Sequence, residues 1–76
     1  MTPEQCRMAR AALNLGVREL ATLARVSTNT IARFERGEQL KDVTMDRVQE
    51  ALESAGIEFI PENGGGVGVR LRNRRR

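Results

Sequence analysis

The sequence predicts a mainly α-helical fold, with four helices followed by a C-terminal β-hairpin. Between residues 3 and 55, apolar side chains recur every three or four positions, which places them on one face of an α-helix. After Gly56 the apolar residues alternate instead, in two short segments separated by the glycine-rich run Glu62–Gly66. A chain of 76 residues has room for one small domain.

The first helix is predicted to begin at Pro3 and to end near Leu13. Thr2 can cap its N-terminus, proline suits the first helical position, and Glu4 lies in the first turn. The residues expected to face the core are Cys6, Ala9, Ala12 and Leu13.

The second and third helices are short, and a tight turn separates them. They are predicted at about Val17–Ala24 and Thr28–Arg36, with Ser27 as the cap of the third helix and Gly37 as its stop. The inward stripe of the third helix is Ile31 and Phe34. Its remaining side chains are hydrogen-bonding groups of the kind that read base edges and phosphates: Thr28, Asn29, Thr30, Arg33 and Arg36.

A polar connection, Glu38–Val43, leads to the fourth helix, which Asp42 or Thr44 can cap and which Gly56 ends. One face of this helix is expected to carry Met45, Val48, Leu52 and Ala55.

The hairpin strands are predicted at Ile57–Pro61 and Val67–Leu71. A lone two-stranded hairpin is marginal in water, so it must pack on the helices or pair with another chain, and its edges favour pairing. The predicted element for dimerisation is therefore the hairpin, with helix 4 as the alternative. The interface residues are expected to be Ile57, Phe59, Val67, Val69 and Leu71.

The net charge of +3 is unevenly distributed. Residues 1–69 contain 8 Lys and Arg against 10 Asp and Glu, whereas residues 70–76 contain five arginines and no acid. Residues 73–76 are predicted to form a disordered basic tail, for which nucleic acid is the natural partner. The alternative is a solvated segment that serves only solubility.

Composition also limits the function. The chain has no His and a single Cys, Cys6, which leaves no metal cluster, no internal disulfide and no His-dependent catalytic pair. We therefore expect neither an enzyme nor a cofactor, and no small-molecule ligand is evident. The sequence contains no apolar run of about 20 residues and no signal pattern, so we expect no membrane partner and a cytoplasmic location.

The central motif, L-x-x-x-x-LA-x-x-A-x-VS-x-x-TI-x-R-x-ERG, resembles that of the phage repressor and Cro-like helix-turn-helix regulators, the XRE family. It is formed here by Leu15, Leu20, Ala21, Ala24, Val26, Ser27, Thr30, Ile31, Arg33, Glu35, Arg36 and Gly37. The resemblance covers residues 3 to 55 and implies a Cro/C1-type domain with an ion pair between Arg10 and Glu35. One position departs from the family pattern, because Arg25 stands where the turn usually has glycine.

The motif implies that the third helix lies in the major groove of double-stranded DNA. The candidate base-reading residues are Thr28, Asn29, Thr30 and Arg33. The candidate phosphate-binding residues are Val17, Arg18, Ser27, Arg36 and Lys41, of which the first two lie at the start of the second helix.

These observations predict a homodimeric, sequence-specific DNA-binding regulator that represses a small operon or mobile element at an inverted-repeat operator. Residues 1–56 would form the DNA-binding domain, residues 57–72 the dimerisation hairpin, and residues 73–76 the tail. One alternative is an antitoxin that represses its own operon and binds a toxin. Another is a protein-interaction module derived from the same fold.

Overall fold

The computed structural model describes residues 1–72 and contains four helices followed by a two-stranded antiparallel hairpin. The elements are α1 Pro3–Leu13, α2 Val17–Ala24, α3 Thr28–Glu35, α4 Asp42–Ser54, β1 Ile57–Ile60 and β2 Gly68–Leu71. The predicted mainly helical class and the C-terminal hairpin are confirmed. The predicted basic tail, residues 73–76, lies outside the described residues.

A single buried glutamine connects the start of α1 to the hairpin. The Thr2 hydroxyl accepts a hydrogen bond from the Gln5 backbone N–H at 3.1 Å, and Gln5 Oε1 accepts from the Thr2 N–H at 2.9 Å. This is the reciprocal arrangement of a capping box. The Gln5 amide also donates to the carbonyl oxygens of Ile60 and Gly68, at 3.1 and 2.9 Å. Gln5 therefore ties α1 to both strands.

The core draws on all four helices and on β1. Its buried members are Cys6, Ala9, Leu20, Ala21, Ala24, Ile31, Phe34, Val48, Leu52 and Ile57. Two expected core residues are exposed instead. Ala12 lies at the flank of the buried stripe in the last turn of α1, and Ala55 follows the last residue of α4, so it no longer continues that helix face.

The turn between α2 and α3 requires a left-handed residue, and Arg25 takes that conformation, with φ at +60°. The N–H of Val26 then reaches back to the carbonyl of Ala21 at 3.0 Å, which closes the end of α2. A left-handed residue other than glycine costs about 1 kcal/mol. The fold therefore tolerates the departure from the usual glycine at a modest cost.

The predicted side-chain cap of α4 is wrong. Lys41 is the N-cap residue and makes no capping hydrogen bond, while Asp42 is the first helical residue and Thr44 lies inside the helix. Asp42 still stabilises the start of α4, because an acidic side chain in the first turn interacts favourably with the helix dipole. Helix α3 ends one residue earlier than expected, with Arg36 as its C-cap.

The hairpin packs on α1 and α4 and shares their core. Pro61 and Val67, which were predicted as strand ends, lie outside the strands. Across the hairpin, Phe59 pairs with Val69. Ile57 is fully buried within the chain, so its assignment to a dimer interface is wrong: the side chain belongs to the core. Phe59 and Val69 are half-buried against that core, and Leu71 is 40% exposed.

No helix among residues 1–72 is both long enough and apolar enough to cross a membrane.

Candidate nucleic-acid interface

One face of helix α3 packs against the core, and the opposite face is polar. Ile31 and Phe34, three residues apart, are buried at 0 and 3% exposure and fix the helix to the core. Thr28, Asn29 and Arg33 are exposed along the rest of its surface. The fold thus presents a carboxamide, a hydroxyl and a guanidinium on one short, anchored helix.

Two of the proposed DNA-contacting hydroxyls are bonded to each other at the start of α3. The Ser27 hydroxyl accepts from the Thr30 N–H at 3.0 Å, and the two hydroxyl oxygens are 2.8 Å apart. Thr30 is half-buried, unlike its neighbours Thr28 and Asn29. Ser27 is therefore the N-cap of the helix and Thr30 is its capping partner, and Thr30 is the least accessible of the four predicted base-reading residues.

The predicted phosphate site at the start of α2 already contains an acid. Glu19 Oε1 accepts a hydrogen bond from the Gly16 N–H at 3.0 Å, at the N-terminus where a phosphate would bind. Arg18 is exposed beside it, whereas Val17 is half-buried and packs against the core. A phosphate at this position would be repelled by the neighbouring Glu19 carboxylate.

The end of α3 brings two arginines to one carboxylate. Arg33 Nε lies 3.2 Å from Glu38 Oε1, and Arg36 Nη2 lies 3.9 Å from Glu38 Oε2. All three side chains are about half exposed or more. Lys41 is exposed at the start of α4. The predicted phosphate-binding Arg36 and base-reading Arg33 therefore share an acidic neighbour, Glu38, that is not among the predicted site residues.

Arg10 and Glu35 form the ion pair that the resemblance implies. Arg10 Nε and Nη2 donate to the two carboxylate oxygens at 2.8 and 2.7 Å, and Nη1 donates to the Leu15 carbonyl at 3.2 Å. The Glu35 side chain is only 9% exposed. Arg7 donates to the Glu35 backbone carbonyl. The pair joins the last turn of α1 to the last turn of α3 and so fixes the orientation of α3.

Burial opposes ionisation of Glu35, but the hydrogen bonds from Arg10 and Cys6 and the positive charges of Arg10 and Arg7 outweigh it, so the pKa of Glu35 is lowered. Burial and the hydrogen bond to Glu35 raise the pKa of the Cys6 thiol to about 12. Cys6 is thus protonated and unreactive at neutral pH.

Comparison with known proteins gives no matching family model and no matching curated protein.

Four residues that make side-chain contacts in the structure, in this region and at the hairpin, were not predicted from the sequence. Gln5 could have been found, because Thr2 and Gln5 have the spacing of a capping box. Glu38 could have been found as the residue that directly follows the helix-ending pair Arg36-Gly37. Arg47, which donates to the Arg25 carbonyl, and Arg72, which donates to the Glu53 carbonyl, make contacts that no local pattern predicts.

Proposed function

We propose that this chain is a Cro/C1-type helix-turn-helix regulator that binds double-stranded DNA, with α3 in the major groove, and represses a small operon or mobile element. The observation that carries the proposal is the surface of α3. Asn29 and Arg33 are exposed on a helix that the buried Ile31 and Phe34 hold in place. An α-helix with its side chains is about 10–12 Å across, which fits the major groove with its width of about 12 Å.

The chemistry of these side chains supports base reading. Asparagine can pair bidentately with adenine, and arginine can donate two hydrogen bonds to guanine O6 and N7. The ion pair between Arg10 and Glu35 supports the proposal as well, because a reading helix must keep its orientation while its side chains exchange water for base edges. Arg36 and Lys41, which follow the reading helix in the chain, would contact phosphates.

The test is a selection of duplexes from a random-sequence library with the full chain, followed by titration of single variants. Asn29→Ala and Arg33→Ala should each weaken binding of the selected duplex by about 1–3 kcal/mol and relax the preference at one base position. Binding of unselected DNA should change little.

The matched control is Arg36→Ala, which removes the same guanidinium from a proposed phosphate contact. It should weaken selected and unselected duplexes alike, because phosphates carry no base identity. If Arg33→Ala behaves like Arg36→Ala, Arg33 contacts the backbone and the reading face is wrongly assigned. If the selection enriches no sequence, the proposed function is wrong.

We further propose a homodimer that pairs through the outer edge of the hairpin. In the two-stranded sheet, each strand has one edge that no strand of the described chain occupies. Exposed strand edges readily pair with another chain. A twofold dimer should place two α3 helices about 34 Å apart, so the selected DNA should be an inverted repeat with half-sites one helical turn apart or a multiple of it.

The exposed leucine at the end of β2 tests this dimer. Leu71→Lys should weaken dimerisation about tenfold or more, because an edge lysine opposes strand pairing, and sedimentation velocity at several concentrations would measure it. Leu23→Lys is the matched control, since Leu23 is 53% exposed on α2. A dimer that dissociates with Leu23→Lys and not with Leu71→Lys would place the interface on the α2–α4 side instead.

A further inference from the structure

Glu38 is positioned over the reading arginine by the cap that ends α3. Gly37 has φ at +106°, the left-handed conformation that favours glycine. Its N–H donates to the Phe34 carbonyl at 2.9 Å, and the Glu38 N–H donates to the Arg33 carbonyl at 3.0 Å. These two bonds define a Schellman motif. The backbone therefore returns Glu38 to the same turn that carries Arg33.

The side chains meet as well, and the atoms involved matter. The carboxylate approaches Arg33 through Nε, at 3.2 Å, on the inner side of the guanidinium. The terminal nitrogens Nη1 and Nη2 remain for another acceptor. They form the end of the fork that can donate two parallel hydrogen bonds to the O6 and N7 of one guanine.

We propose that Glu38 is a positioning residue that orients Arg33 for end-on, bidentate recognition of guanine, an inference that rests on the proposed function. An exposed ion pair of this type contributes little to stability, so its effect should lie in recognition. A long arginine side chain loses conformational freedom when it binds a base. A partner that holds the side chain beforehand reduces that loss.

The carboxylate also has an opposing effect. It lies close to where phosphates would approach Arg33 and Arg36, and it repels them. Glu38 should therefore weaken binding to DNA of any sequence while it strengthens the preference for guanine at the base opposite Arg33. Two substitutions separate these effects. Glu38→Ala removes both the charge and the acceptor oxygen, whereas Glu38→Gln removes the charge and keeps an oxygen that can accept from Arg33 Nε.

The experiment uses the full chain, the duplex selected from the random library, the same duplex with the guanine opposite Arg33 replaced by adenine or by 7-deazaguanine, and an unselected duplex. Glu38→Ala should lower the preference for guanine over adenine about five- to tenfold, which is part of the total discrimination that one bidentate arginine–guanine pair provides. Both Glu38 variants should bind the unselected duplex about fivefold more tightly. Glu38→Gln should retain most of the guanine preference.

Wild-type protein should also lose affinity with 7-deazaguanine, which lacks the N7 acceptor, and Glu38→Ala should lose less. In an Arg33→Ala background, Glu38→Ala should leave base preference unchanged. The inference is overturned if Glu38→Ala tightens binding to all duplexes equally and keeps the guanine preference, because Glu38 would then act only as a repelling charge. A chain that enriches no duplex would instead refute the proposed function itself.

Discussion

Replacing Arg10 with alanine is expected to lower the free energy of unfolding by about 2–4 kcal/mol, because the substitution leaves a mostly buried carboxylate without its partner. Arg10 donates two hydrogen bonds to the Glu35 carboxylate and a third to the Leu15 carbonyl. Domains are stabilised by roughly 0.05–0.15 kcal/mol per residue, so a loss of this size is a large share of the total. Chemical denaturation followed by circular dichroism would measure it.

The pH dependence of the same variant separates loss of the ion pair from loss of packing. In the wild type the pKa of Glu35 lies below its usual value of 4.5, so the pair stabilises the fold above that pH and is lost as the pH falls through the folded-state pKa. Without Arg10, burial should raise the pKa of Glu35. The difference in stability between the two proteins should then shrink as the pH falls from 7 toward 4.

Arg18→Ala provides the control, because Arg18 is exposed and the substitution removes the same kind of side chain without affecting a buried partner. It should change the free energy of unfolding by less than about 0.5 kcal/mol. A stability difference between Arg10→Ala and the wild type that stays constant from pH 7 to 4 would mean that the lost alkyl contacts, and not the charge on Glu35, cause the destabilisation.

Truncating Ile57 to alanine is expected to destabilise the fold by about 2–5 kcal/mol, the range for large-to-small changes in a well-packed core. Ile57 is fully buried and joins the hairpin to the core formed by the helices. Leu71→Ala, in the residue paired with Ile57 across the hairpin, should cost far less because Leu71 is 40% exposed. Thermal unfolding of both variants would test this.

Removing all residues after Gly56 should be more damaging still. It would uncover the core around Ile57 and remove both carbonyl acceptors of the buried Gln5 amide. A truncated chain that unfolds with a wild-type midpoint would contradict this assignment and would make the hairpin an accessory element.

Local chemistry explains what could be predicted from the sequence. The cap at Thr2, the stripe of Ile31 and Phe34, and the glycine stops at Gly37 and Gly56 each depend on residues within a few positions. Ile57 shows where such reasoning fails. Alternation identifies the strand, but the same pattern suits a side chain facing a partner molecule and one facing the chain's own helices.

In the candidate site, too, some features could be predicted from the sequence and others could not. The exposure of Asn29 and Arg33 follows from helix periodicity, and the residues were chosen for their chemistry. The contact between Arg33 and Glu38 depends on a left-handed residue between them, and the Thr30 hydroxyl turns to Ser27 because of the N-cap. Both are outcomes of side-chain geometry that residue type alone does not specify.

The hydrogen bonds of Gln5 also constrain the order in which the chain acquires its structure. Its amide reaches carbonyls 55 and 63 positions further along the chain, far beyond the span of any local turn. During synthesis, α1 can become helical early, but its amide gains these partners only after Gly68 has left the ribosome. Contacts of such long sequence separation also slow folding, and the helices are expected to be unstable without the hairpin, so we expect helices and hairpin to acquire their packing together.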